Sequence, residues 1–512
     1  MLNVTPLMRL YSAVRLHKLA QQQVATVQER QLLRLLRTAR TSRFGRQYHF
    51  NTITNIEEYQ RTVPLRTYDD FWQEFWGDAF PNLFDCTWPG KIPFFGISTG
   101  TTDGRAKYLP VSRAMIASNK RGSFDLFCHH LAGNPHSKLL GGKGLMIGGF
   151  ASLEELAPGV YASLLPIILL TKTMPWWVRP WYLTTTASAA ESSGWEDKLH
   201  RLARETLRHD IRSLSGFPPR LLAFFQALKD EKPAGDEFRI ADYFPRLEMI
   251  THGGVSLTPY QTQFTNMLAG SHCELREIYP STEGFLAIAD RQPGQGLRLI
   301  CDHGIFYEFI PLEEFHCSNP SRYWIANVKT GVEYAVVLST CAGLWSYLLG
   351  DVIQFVDLNP PRILITGRTS QTISISGEKF MEADFNRAIA AAADTIGAIV
   401  NEFTVGAALP QHVGDRGKYR YIVEFQQPPA HQEDVRTFCK AVEHTLRRHN
   451  SVYDVAYLEG RGIEPPDLYI AAPGTFAAWL RQRGTPDAKI PRIIAAPEQF
   501  AAVFAFAQTW NG

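Results

Sequence analysis

The segment Ser98–Lys107 reads STGTTDGRAK and carries the strongest local signal in the chain. It gathers hydroxyl side chains and glycines and ends on a lysine. Glycines leave backbone N–H groups open to a ligand, hydroxyls donate hydrogen bonds, and a cation offsets negative charge. This composition therefore predicts a loop that wraps phosphate oxygens. The apolar, aromatic run Lys91–Ser98 (KIPFFGIS) in front of it predicts a β-strand that leads into the loop.

The same residues permit a second interpretation. Gly96–Gly100 (GISTG) matches the G-x-S-x-G nucleophile elbow of serine hydrolases, which would make Ser98 a nucleophile. An elbow needs a helix directly after the serine, and Thr-Gly-Thr-Thr-Asp-Gly is a poor helix start. The GxxxxGK[ST] spacing of a Walker loop is also missing from this segment. A phosphate loop is therefore favoured, with the elbow and a plain turn as the alternatives.

Two more polar segments follow predicted strands. Glu277–Gly284 (EIYPSTEG) places two hydroxyls beside the carboxylate of Glu283. This set suits a phosphate and its Mg²⁺, which takes one or two carboxylates plus phosphate oxygens. Tyr347–Asp351 (YLLGD) puts an aspartate at the boundary of the predicted strand Val352–Val356, where its two oxygens suit the hydroxyls of a ribose. Taken alone, each segment is also typical of an ordinary turn.

The remaining motifs lie in the C-terminal third of the chain. The composition changes after Pro360–Pro361, and Gly367–Glu382 (GRTSQTISISGEKFME) follows, with a turn expected at Gly367. We therefore expect a domain boundary and a hinge there, and the βα pattern beyond it spans about 145 residues, a normal size for a small domain. Near the end, Asp487–Arg492 (DAKIPR) contains Lys489, and a lysine on a terminal loop is by itself usually only solvated.

Length and composition exclude several classes of protein. The chain has 512 residues with 52 Lys+Arg against 50 Asp+Glu, and a net charge of +2 excludes a dedicated nucleic-acid binder. The 20% charged and 12% aromatic residues exclude a disordered chain. Seven scattered cysteines without a CxxC pair indicate a reducing compartment, so a cytoplasmic location is expected. The apolar stretch Leu164–Leu170 is far shorter than the ~20 residues of a spanning helix, so no membrane contact is expected.

Strands that alternate with helical segments predict an α/β fold. Residues 1–45 are expected to be helical, with leucines at helical spacing around Leu32–Leu36, and to end at Arg43–Gly45. Further helices are predicted at Trp195–Leu207, Pro259–Leu268, Met381–Asp394 and Glu433–His449. Strands are predicted at Glu248–Thr251, Glu274–Tyr279, Ile305–Ile310, Glu333–Leu338, Val352–Val356, Ile363–Ile365, Ile373–Ile375, Phe403–Ala408 and Tyr419–Phe425.

In chain order, the motifs resemble those of one superfamily. STGTTDGRAK, YPSTEG, YLLGD, GRTSQTISISGEK and a late lysine are similar to the core motifs of adenylate-forming enzymes. Within that superfamily the chain resembles, over nearly its whole length, the Gretchen Hagen family of acyl acid–amido synthetases, which conjugate auxin and jasmonate. The opening segment Val63–Asp70 (VPLRTYDD) is similar too. Two positions depart from the pattern: Leu348–Leu349 replace the usual arginine, and Ser370–Gln371 replace the acidic pair that often marks the hinge.

The resemblance implies both an architecture and a reaction. The architecture is a large N-terminal α/β domain with mixed β-sheets (residues 1–365) and a small mobile C-terminal α/β cap (residues 366–512). The reaction uses ATP and Mg²⁺: a carboxylic acid attacks the α-phosphate to give an acyl-adenylate and pyrophosphate, and an amine then displaces AMP to leave an amide. The implied partners are a small carboxylic acid and an amino acid or other amine, without nucleic acid or membrane, for a monomer or weak oligomer.

The resemblance also assigns roles to individual residues. The phosphates fall to Ser98, Thr99, Thr101 and Thr102, and the α-phosphate with Mg²⁺ to Thr282 and Glu283. Around the nucleoside, Tyr279 lies near the adenine, Asp351 binds the ribose with support from Arg368, and His252 and Gly253 approach the adenine and the acyl group. From the cap, Lys379 and Lys489 reach the adenylate in different closed states, so that the catalytic candidates are Glu283, Lys379 and Lys489.

Three other functions stay open at this point. An acid–thiol ligase of the same superfamily would make acyl-CoA instead of an amide. A serine hydrolase would use Ser98, although the sequence identifies no histidine and acid to partner it. A catalytically silent protein would retain the fold in order to bind or scaffold.

Overall fold

The computed structural model describes residues 2–98, 107–147, 153–176, 178–183, 195–232, 238–369, 373–375, 380–408, 417–458, 463–485 and 488–510. Its α-helices are α1 (Thr5–Ala20), α2 (Val24–Ala39), α3 (Arg43–Gln47), α4 (Ile56–Thr62), α5 (Tyr68–Phe71), α6 (Arg113–Gly133), α7 (Leu165–Thr171), α8 (Trp195–Thr206), α9 (Pro218–Glu231), α10 (Ile240–Tyr243), α11 (Gln261–Leu268), α12 (Glu382–Ile396), α13 (Gln432–His449), α14 (Ser451–Leu458), α15 (Thr475–Gln482) and α16 (Pro497–Thr509). Its strands are β1 (Phe94–Ser98), β2 (Lys107–Val111), β3 (Lys143–Ile147), β4 (Glu154–Ala157), β5 (Val160–Ser163), β6 (Tyr182–Leu183), β7 (Ile211–Gly216), β8 (Met249–Gly253), β9 (Glu274–Pro280), β10 (Phe285–Ile288), β11 (Leu297–Leu299), β12 (Ile305–Pro311), β13 (Tyr323–Trp324), β14 (Glu333–Thr340), β15 (Tyr347–Leu358), β16 (Pro361–Arg368), β17 (Val400–Ala408), β18 (Lys418–Phe425) and β19 (Asp467–Ala471).

The chain forms two compact units. The first comprises Met1–Gly254 and Leu268–Leu364, and the second comprises Val255–Met267 and Ile365–Gly512. The chain therefore crosses between the units three times. The sequence does not predict that the short segment Val255–Met267, directly after the glycine pair of β8, belongs with the C-terminal unit.

Two breaks divide the predicted N-terminal helix into α1, α2 and α3, and α2 follows the apolar spacing of the sequence. In α2, Leu32 and Leu36 are buried. The side-chain amide of Gln28 donates to the carbonyl oxygens of Cys301 and Ile305 at 2.7 and 2.9 Å. The helix expected to end at Arg43–Gly45 instead restarts there. The hydroxyl of Ser42 accepts from the backbone N–H of Gly45 at 3.0 Å, which caps α3. No helix in the described ranges combines the length and apolarity needed to cross a bilayer.

Mixed β-sheets form the framework of the first unit, as the α/β prediction requires. One described sheet has twelve strands in the order β13-β12-β14-β15-β16-β11-β10-β9-β8-β7-β3-β6, and a second has the order β2-β1-β5-β4. Within the large sheet, β6, β3, β7, β8 and β9 run parallel to one another. Parallel strands end at a common edge, and ligands of α/β proteins bind beyond the carboxyl ends of such strands. The predicted α/β fold with mixed sheets is confirmed.

The second unit has its own small sheet and core. Its described strands have the order β17-β18-β19, with β17 antiparallel and β19 parallel to β18. Phe385 of α12, Tyr419 of β18 and Val442 of α13 belong to its buried apolar cluster. The helices and strands expected after residue 380 are therefore present and enclose a separate hydrophobic core.

Three strand predictions differ from the structure. No described strand lies at Ile373–Ile375, where Ile373 forms only an isolated bridge with Phe380. The aspartate of YLLGD was placed at a strand boundary, but Tyr347–Leu358 is one continuous strand, so Gly350 and Asp351 lie inside β15. A turn was expected at Gly367, which instead lies in β16. The errors at Gly350 and Gly367 have the same cause. Glycine in a sequence indicates a turn, but a strand inside a sheet also contains glycine where it bulges or where another part of the chain approaches closely.

Candidate active site

Ser98 ends strand β1 in a hairpin. It pairs with Lys107, the first residue of β2, and the two strands run antiparallel. Residues 99–106 lie outside the described residues, and with them three of the predicted phosphate ligands, Thr99, Thr101 and Thr102. After Ser98 the chain is next described at Lys107, which begins β2.

The hairpin touches the YPSTEG segment. A Cβ atom built on Gly96 would lie 2.4 Å from Cγ2 of Thr282, far inside van der Waals contact. Glycine at position 96 therefore allows β1 to approach the turn that follows β9. Two motifs that are distant in the sequence meet at this contact, which the sequence did not predict.

A tight turn carries Thr282 and Glu283. The backbone N–H of Ser281 donates to the carbonyl of Gly284 at 2.9 Å, and the reverse bond is 3.3 Å long. This pair of hydrogen bonds closes the turn at the carboxyl end of β9. The hydroxyl of Tyr347, the first residue of β15, donates to the Glu283 carboxylate at 3.4 Å. The turn thus holds a hydroxyl and an oriented carboxylate next to each other.

Tyr279 and Asp351 are in direct contact. The Tyr279 hydroxyl donates to the Asp351 carboxylate at 2.5 Å, and the two residues are only 5% and 8% exposed. A buried carboxylate needs hydrogen-bond donors, and this phenol supplies one. The predicted adenine-side residue and the predicted ribose ligand therefore belong to one site.

A bulge in β15 positions the aspartate of this pair. Between Leu348 and Val352, β15 advances four residues while its partner β14 advances only two, from Val337 to Ala335. At the centre of the bulge Gly350 has a φ of 88°, a conformation that favours glycine. Bulges redirect side chains and are frequent next to active sites. The bulge at Gly350 thus sets the direction of the Asp351 side chain within β15.

Strand β8 ends beside β9 with a buried histidine. His252 is 2% exposed, its Nδ1 has no hydrogen-bond partner among the described residues, and burial lowers its pKa to about 4. Across the ladder it pairs with Glu277, which is half-buried and whose pKa burial raises to about 7. An orphaned buried nitrogen is costly. A polar ligand at this strand end would satisfy it.

The next residue of β8 requires glycine for a different reason. A Cβ on Gly253 would lie 2.2 Å from the carbonyl oxygen of Ile278, so no other residue fits between β8 and β9 without displacing the backbone. Gly254 follows with a φ of 73°. Glycine at position 253 therefore allows the end of β8 to lie close against β9.

The donor set suits a magnesium–nucleotide complex. Carboxylates, hydroxyls and an orphaned imidazole nitrogen gather at the carboxyl edge of the parallel strands. Among the described residues, no group of three His, Cys, Asp or Glu side chains forms a metal cage. Mg²⁺ that arrives with phosphates needs only one or two protein carboxylates, and Glu283 would be one of them. The residues present therefore fit this ion without a dedicated cage.

The other predicted site residues belong to the C-terminal unit. Arg368 is the last residue of β16, Lys489 is exposed in the segment before α16, and Lys379 lies outside the described residues. The segment with Lys489 is fixed to β17, because Thr404 donates to the carbonyl of Pro491 at 2.7 Å and two further backbone bonds of 2.9 Å join the same strand. Their roles remain predictions.

Sequence reasoning missed three residues of the site. Tyr347 stood in the YLLGD motif without a role, although a tyrosine four residues before the aspartate is a visible signal. Glu277 stood in EIYPSTEG, and only the ladder of parallel strands reveals its position beside His252. For Gly96, no sequence signal indicates the contact with Thr282, because it depends on the packing of one sheet against another.

Three domain descriptions of one family match the chain. These are the GH3 family N-terminal domain over residues 15–163, the GH3 family central domain over residues 298–368 and the GH3 family C-terminal domain over residues 383–498. Together the matches cover more than half of the sequence.

Individual relatives and solved structures agree with these matches. The chain is 26% identical to the indole-3-acetic acid-amido synthetase GH3.3 of Arabidopsis thaliana over 232 residues and 28% identical to the jasmonoyl-L-amino acid synthetase JAR4 of Nicotiana attenuata over 234 residues. Each alignment covers 43% of this chain, and the chain spans only 38% of the length of either relative.

Two solved structures share the fold. The GH3.15 acyl acid amido synthetase superposes with a TM-score of 0.76 at 18% identity, covering 97% of this chain and 95% of that protein. The 2-hydroxyisobutyryl-CoA ligase, solved with R3-HIB-AMP, superposes with a TM-score of 0.61 at 14% identity, covering 94% and 91%. At these identities the two structures establish the fold of adenylate-forming enzymes.

Proposed function

Because the chain belongs to the GH3 family, we propose that it is an ATP-dependent acyl acid–amido synthetase. The single observation that carries the proposal is the convergence of the Tyr279–Asp351 pair with the Thr282–Glu283 turn at the carboxyl edge of the parallel strands. In the sequence these residues belong to the motifs expected to hold ribose, α-phosphate and Mg²⁺. The relatives bearing amido-synthetase names support an amide as the product.

The proposed reaction has two steps. A carboxylate oxygen of the acid attacks the α-phosphorus of ATP, and the bond to pyrophosphate breaks to leave an acyl-adenylate. An amino-acid nitrogen then attacks the acyl carbon, the bond to AMP breaks and the nitrogen loses a proton. Neither step requires a nucleophile from the protein. The protein instead orients the reactants and neutralises charge.

The described side chains have defined tasks in this scheme. Asp351, held by the Tyr279 hydroxyl, accepts hydrogen bonds from the ribose hydroxyls. Thr282 donates to the α-phosphate, and Glu283 holds Mg²⁺. The ion supplies charge neutralisation at the phosphate oxygens when it is bound. His252 and Gly253 face the adenine and the acyl group.

The remaining assignments rest on the family pattern alone. Ser98, Thr99, Thr101 and Thr102 bind the phosphates, and Arg368 supports the ribose site. Residues 366–512 act as a mobile cap that presents Lys489 during adenylation and Lys379 in another closed state. A mobile cap of this kind assembles a site for one step and opens it for the next.

The cysteines support a reducing compartment, for which we infer the cytoplasm. All seven cysteines are free. Burial raises the pKa of the Cys128 thiol to about 11 and that of Cys341 to about 12, so these buried thiols stay protonated at neutral pH. Free thiols of this kind are the normal state of a protein in a reducing environment.

Acid-dependent ATP–pyrophosphate exchange tests the function. Because adenylation is a separable half-reaction, the protein should exchange labelled pyrophosphate into ATP when a suitable carboxylic acid is present, without amine or CoA. A broad panel of acids is screened, and ATP binding is measured in parallel from the rise in melting temperature. Binding of ATP without exchange on any acid would favour a silent protein with the same fold.

The product distinguishes the two ligase types. The active acid is incubated with ATP, mixed amino acids and CoA, and the products are identified by mass spectrometry. We expect an N-acyl amino acid. An acyl-CoA as the sole product would replace the proposal by an acid–thiol ligase.

Gly96→Ala should lower the exchange rate by about tenfold with little loss of ATP binding. The new Cβ would lie 2.4 Å from Cγ2 of Thr282 and push that residue from its place at the α-phosphate. Overpacking of a buried contact typically costs ~1–3 kcal/mol, and ~1.4 kcal/mol corresponds to a factor of ten in rate.

A second substitution provides the control. Thr282→Ser removes the obstructing methyl group and keeps the hydroxyl, so Gly96→Ala combined with Thr282→Ser should recover most of the lost exchange. If the double variant is as slow as Gly96→Ala alone, the contact between β1 and the turn does not position Thr282.

A further inference from the structure

Helix α1 buries polar side chains and exposes apolar ones. Ser12 and Arg15 are 4% and 9% exposed, whereas Leu7, Leu10 and Val14 are 69%, 71% and 57% exposed. A helix on the surface of a water-soluble domain normally has the opposite arrangement. The outer face of α1 is therefore unsuited to permanent contact with water.

The exposed apolar residues form one continuous surface. Leu7, Leu10 and Val14 follow the i, i+3, i+7 spacing of a single helical stripe. Tyr11 on the same side contacts Phe124 of α6, with ring centroids 6.4 Å apart, and both are more than 40% exposed. We call these five residues the α1 face. Contiguous exposed apolar surfaces of this kind mark interaction sites.

The buried side of α1 prevents the helix from turning its apolar stripe inward. Arg15 binds the carboxylates of Asp125 and Asp302 through four hydrogen bonds of 2.6–2.9 Å, and Ser12 donates to the carbonyl of Cys128 at 3.0 Å. Breaking such a buried ion pair leaves uncompensated charges and is strongly destabilising. The orientation of α1, and with it the exposure of the face, is fixed by this network.

The surroundings of the α1 face are cationic. Residues 1–28 contain no aspartate or glutamate, and α6 contains only Asp125, which is bound to Arg15. The Lys and Arg residues of the two helices are Arg9, Arg15, Lys18, Arg113, Lys120 and Arg121. Five of these cations remain once Arg15 is set against the carboxylates of Asp125 and Asp302, in a chain whose net charge is only +2. A partner for this surface must combine apolar character with negative charge.

We propose that the α1 face docks on an anionic lipid membrane. Leu7, Leu10 and Val14 insert at the boundary between headgroups and acyl chains, while Lys18 and Arg121, both exposed, meet the lipid phosphates. A second copy of the chain is a poorer partner, because it would bring two cationic faces together. The sequence alone predicted no membrane partner, since it lacks a spanning helix. Peripheral docking needs only one amphipathic face, and it is independent of the proposed ligase activity.

Vesicle co-sedimentation tests this docking. The full chain is mixed with vesicles of equal parts phosphatidylglycerol and phosphatidylcholine, or of phosphatidylcholine alone, at low and at high salt concentration. We expect sedimentation with the anionic vesicles that weakens with salt, because salt screens the cations. Lys18→Glu should weaken the partition coefficient by about fivefold or more, as one cation near an anionic surface contributes ~1 kcal/mol. Leu7→Gln combined with Leu10→Gln should reduce it by more than about tenfold.

Exposed apolar residues elsewhere supply a matched control. Val452 and Leu458 of α14 are 52% and 65% exposed, and Val452→Gln with Leu458→Gln should leave sedimentation unchanged. ATP–pyrophosphate exchange and melting temperature, measured without vesicles, should be the same in all these variants. Absence of sedimentation at low salt would overturn the proposal. So would undiminished sedimentation of the Leu7→Gln, Leu10→Gln variant, or a dimer in sedimentation velocity that this variant abolishes.

Discussion

Glu283→Gln is expected to lower acid-dependent ATP–pyrophosphate exchange by about 100-fold or more while the melting temperature stays within a few degrees of wild type. The substitution keeps the size of the side chain and an oxygen that accepts from the Tyr347 hydroxyl, so the turn is retained. It removes one negative charge from a site that must hold Mg²⁺ beside several phosphate oxygens. Electrostatic contributions at such positions are commonly ~3–4 kcal/mol. Exchange rate against Mg²⁺ concentration is the measurement.

Tyr347→Phe is the matched control for this variant. It removes the 3.4 Å hydrogen bond to Glu283 but leaves the carboxylate charge in place. We expect it to cost less than about tenfold, because the hydrogen bond is long at 3.4 Å and water can replace part of it. Wild-type exchange with unchanged Mg²⁺ dependence in Glu283→Gln would show that the turn is only structural.

The sequence predicted that two distant residues belong to one site, but not how they are held together. Tyr279 and Asp351 were both assigned to the nucleoside, and their side chains are hydrogen-bonded. Their exact relation was not predictable, because it depends on a bulge in which β15 advances four residues against two of β14. A Gly-Asp pair indicates a turn when only local propensity is considered. In the structure Gly350 and Asp351 lie in a bulge instead, because β15 pairs with β14 on both sides of them.

Helix α1 illustrates a different limit of sequence reasoning. The spacing of Leu7, Leu10 and Val14 is that of a buried stripe, and periodicity alone would turn it toward the core. The opposite side is buried because Arg15 finds Asp125 and Asp302, which lie 110 and 287 residues away. A local sequence pattern does not reveal ion pairs between residues that are far apart in the chain. In α2, for which the described residues show no such ion pair, Leu32 and Leu36 are buried as their spacing predicts.

The loop that carries Lys489 has a firm support within the C-terminal unit. The buried guanidinium of Arg492 forms an ion pair with Glu402 and donates to the hydroxyl of Tyr260 at 2.7 Å. The backbone at Arg492 is also hydrogen-bonded to β17, because the N–H of Val405 donates to the Arg492 carbonyl at 2.9 Å. Lys489 is thus an exposed cation three residues from a rigid anchor. The backbone next to Lys489 is therefore held to the sheet of the C-terminal unit.

Lys489→Ala should lower the rate of acid-dependent ATP–pyrophosphate exchange by about 100-fold or more. The same variant should still convert a chemically supplied acyl-adenylate to the amide. During adenylation the ammonium neutralises charge on the transferring phosphate, where removal of one electrostatic group commonly costs ~3–4 kcal/mol. After pyrophosphate leaves, the amine attacks the acyl carbon in the other closed state of the proposed cap, which presents Lys379 instead of Lys489. If the cap carries Lys489 away between the steps, the lysine serves only the first. The two half-reactions are assayed separately with the same variant.

Lys440→Ala is the control, because Lys440 is another exposed lysine of the C-terminal unit, on α13. We expect it to leave both half-reactions at the wild-type rate, which excludes a general effect of lost positive charge. Equal loss of both half-reactions in Lys489→Ala would mean that this lysine serves the two steps alike and does not withdraw. Unchanged exchange in Lys489→Ala would mean that the lysine is only solvated. Either result is incompatible with a cap that exchanges one catalytic lysine for another between adenylation and amide formation.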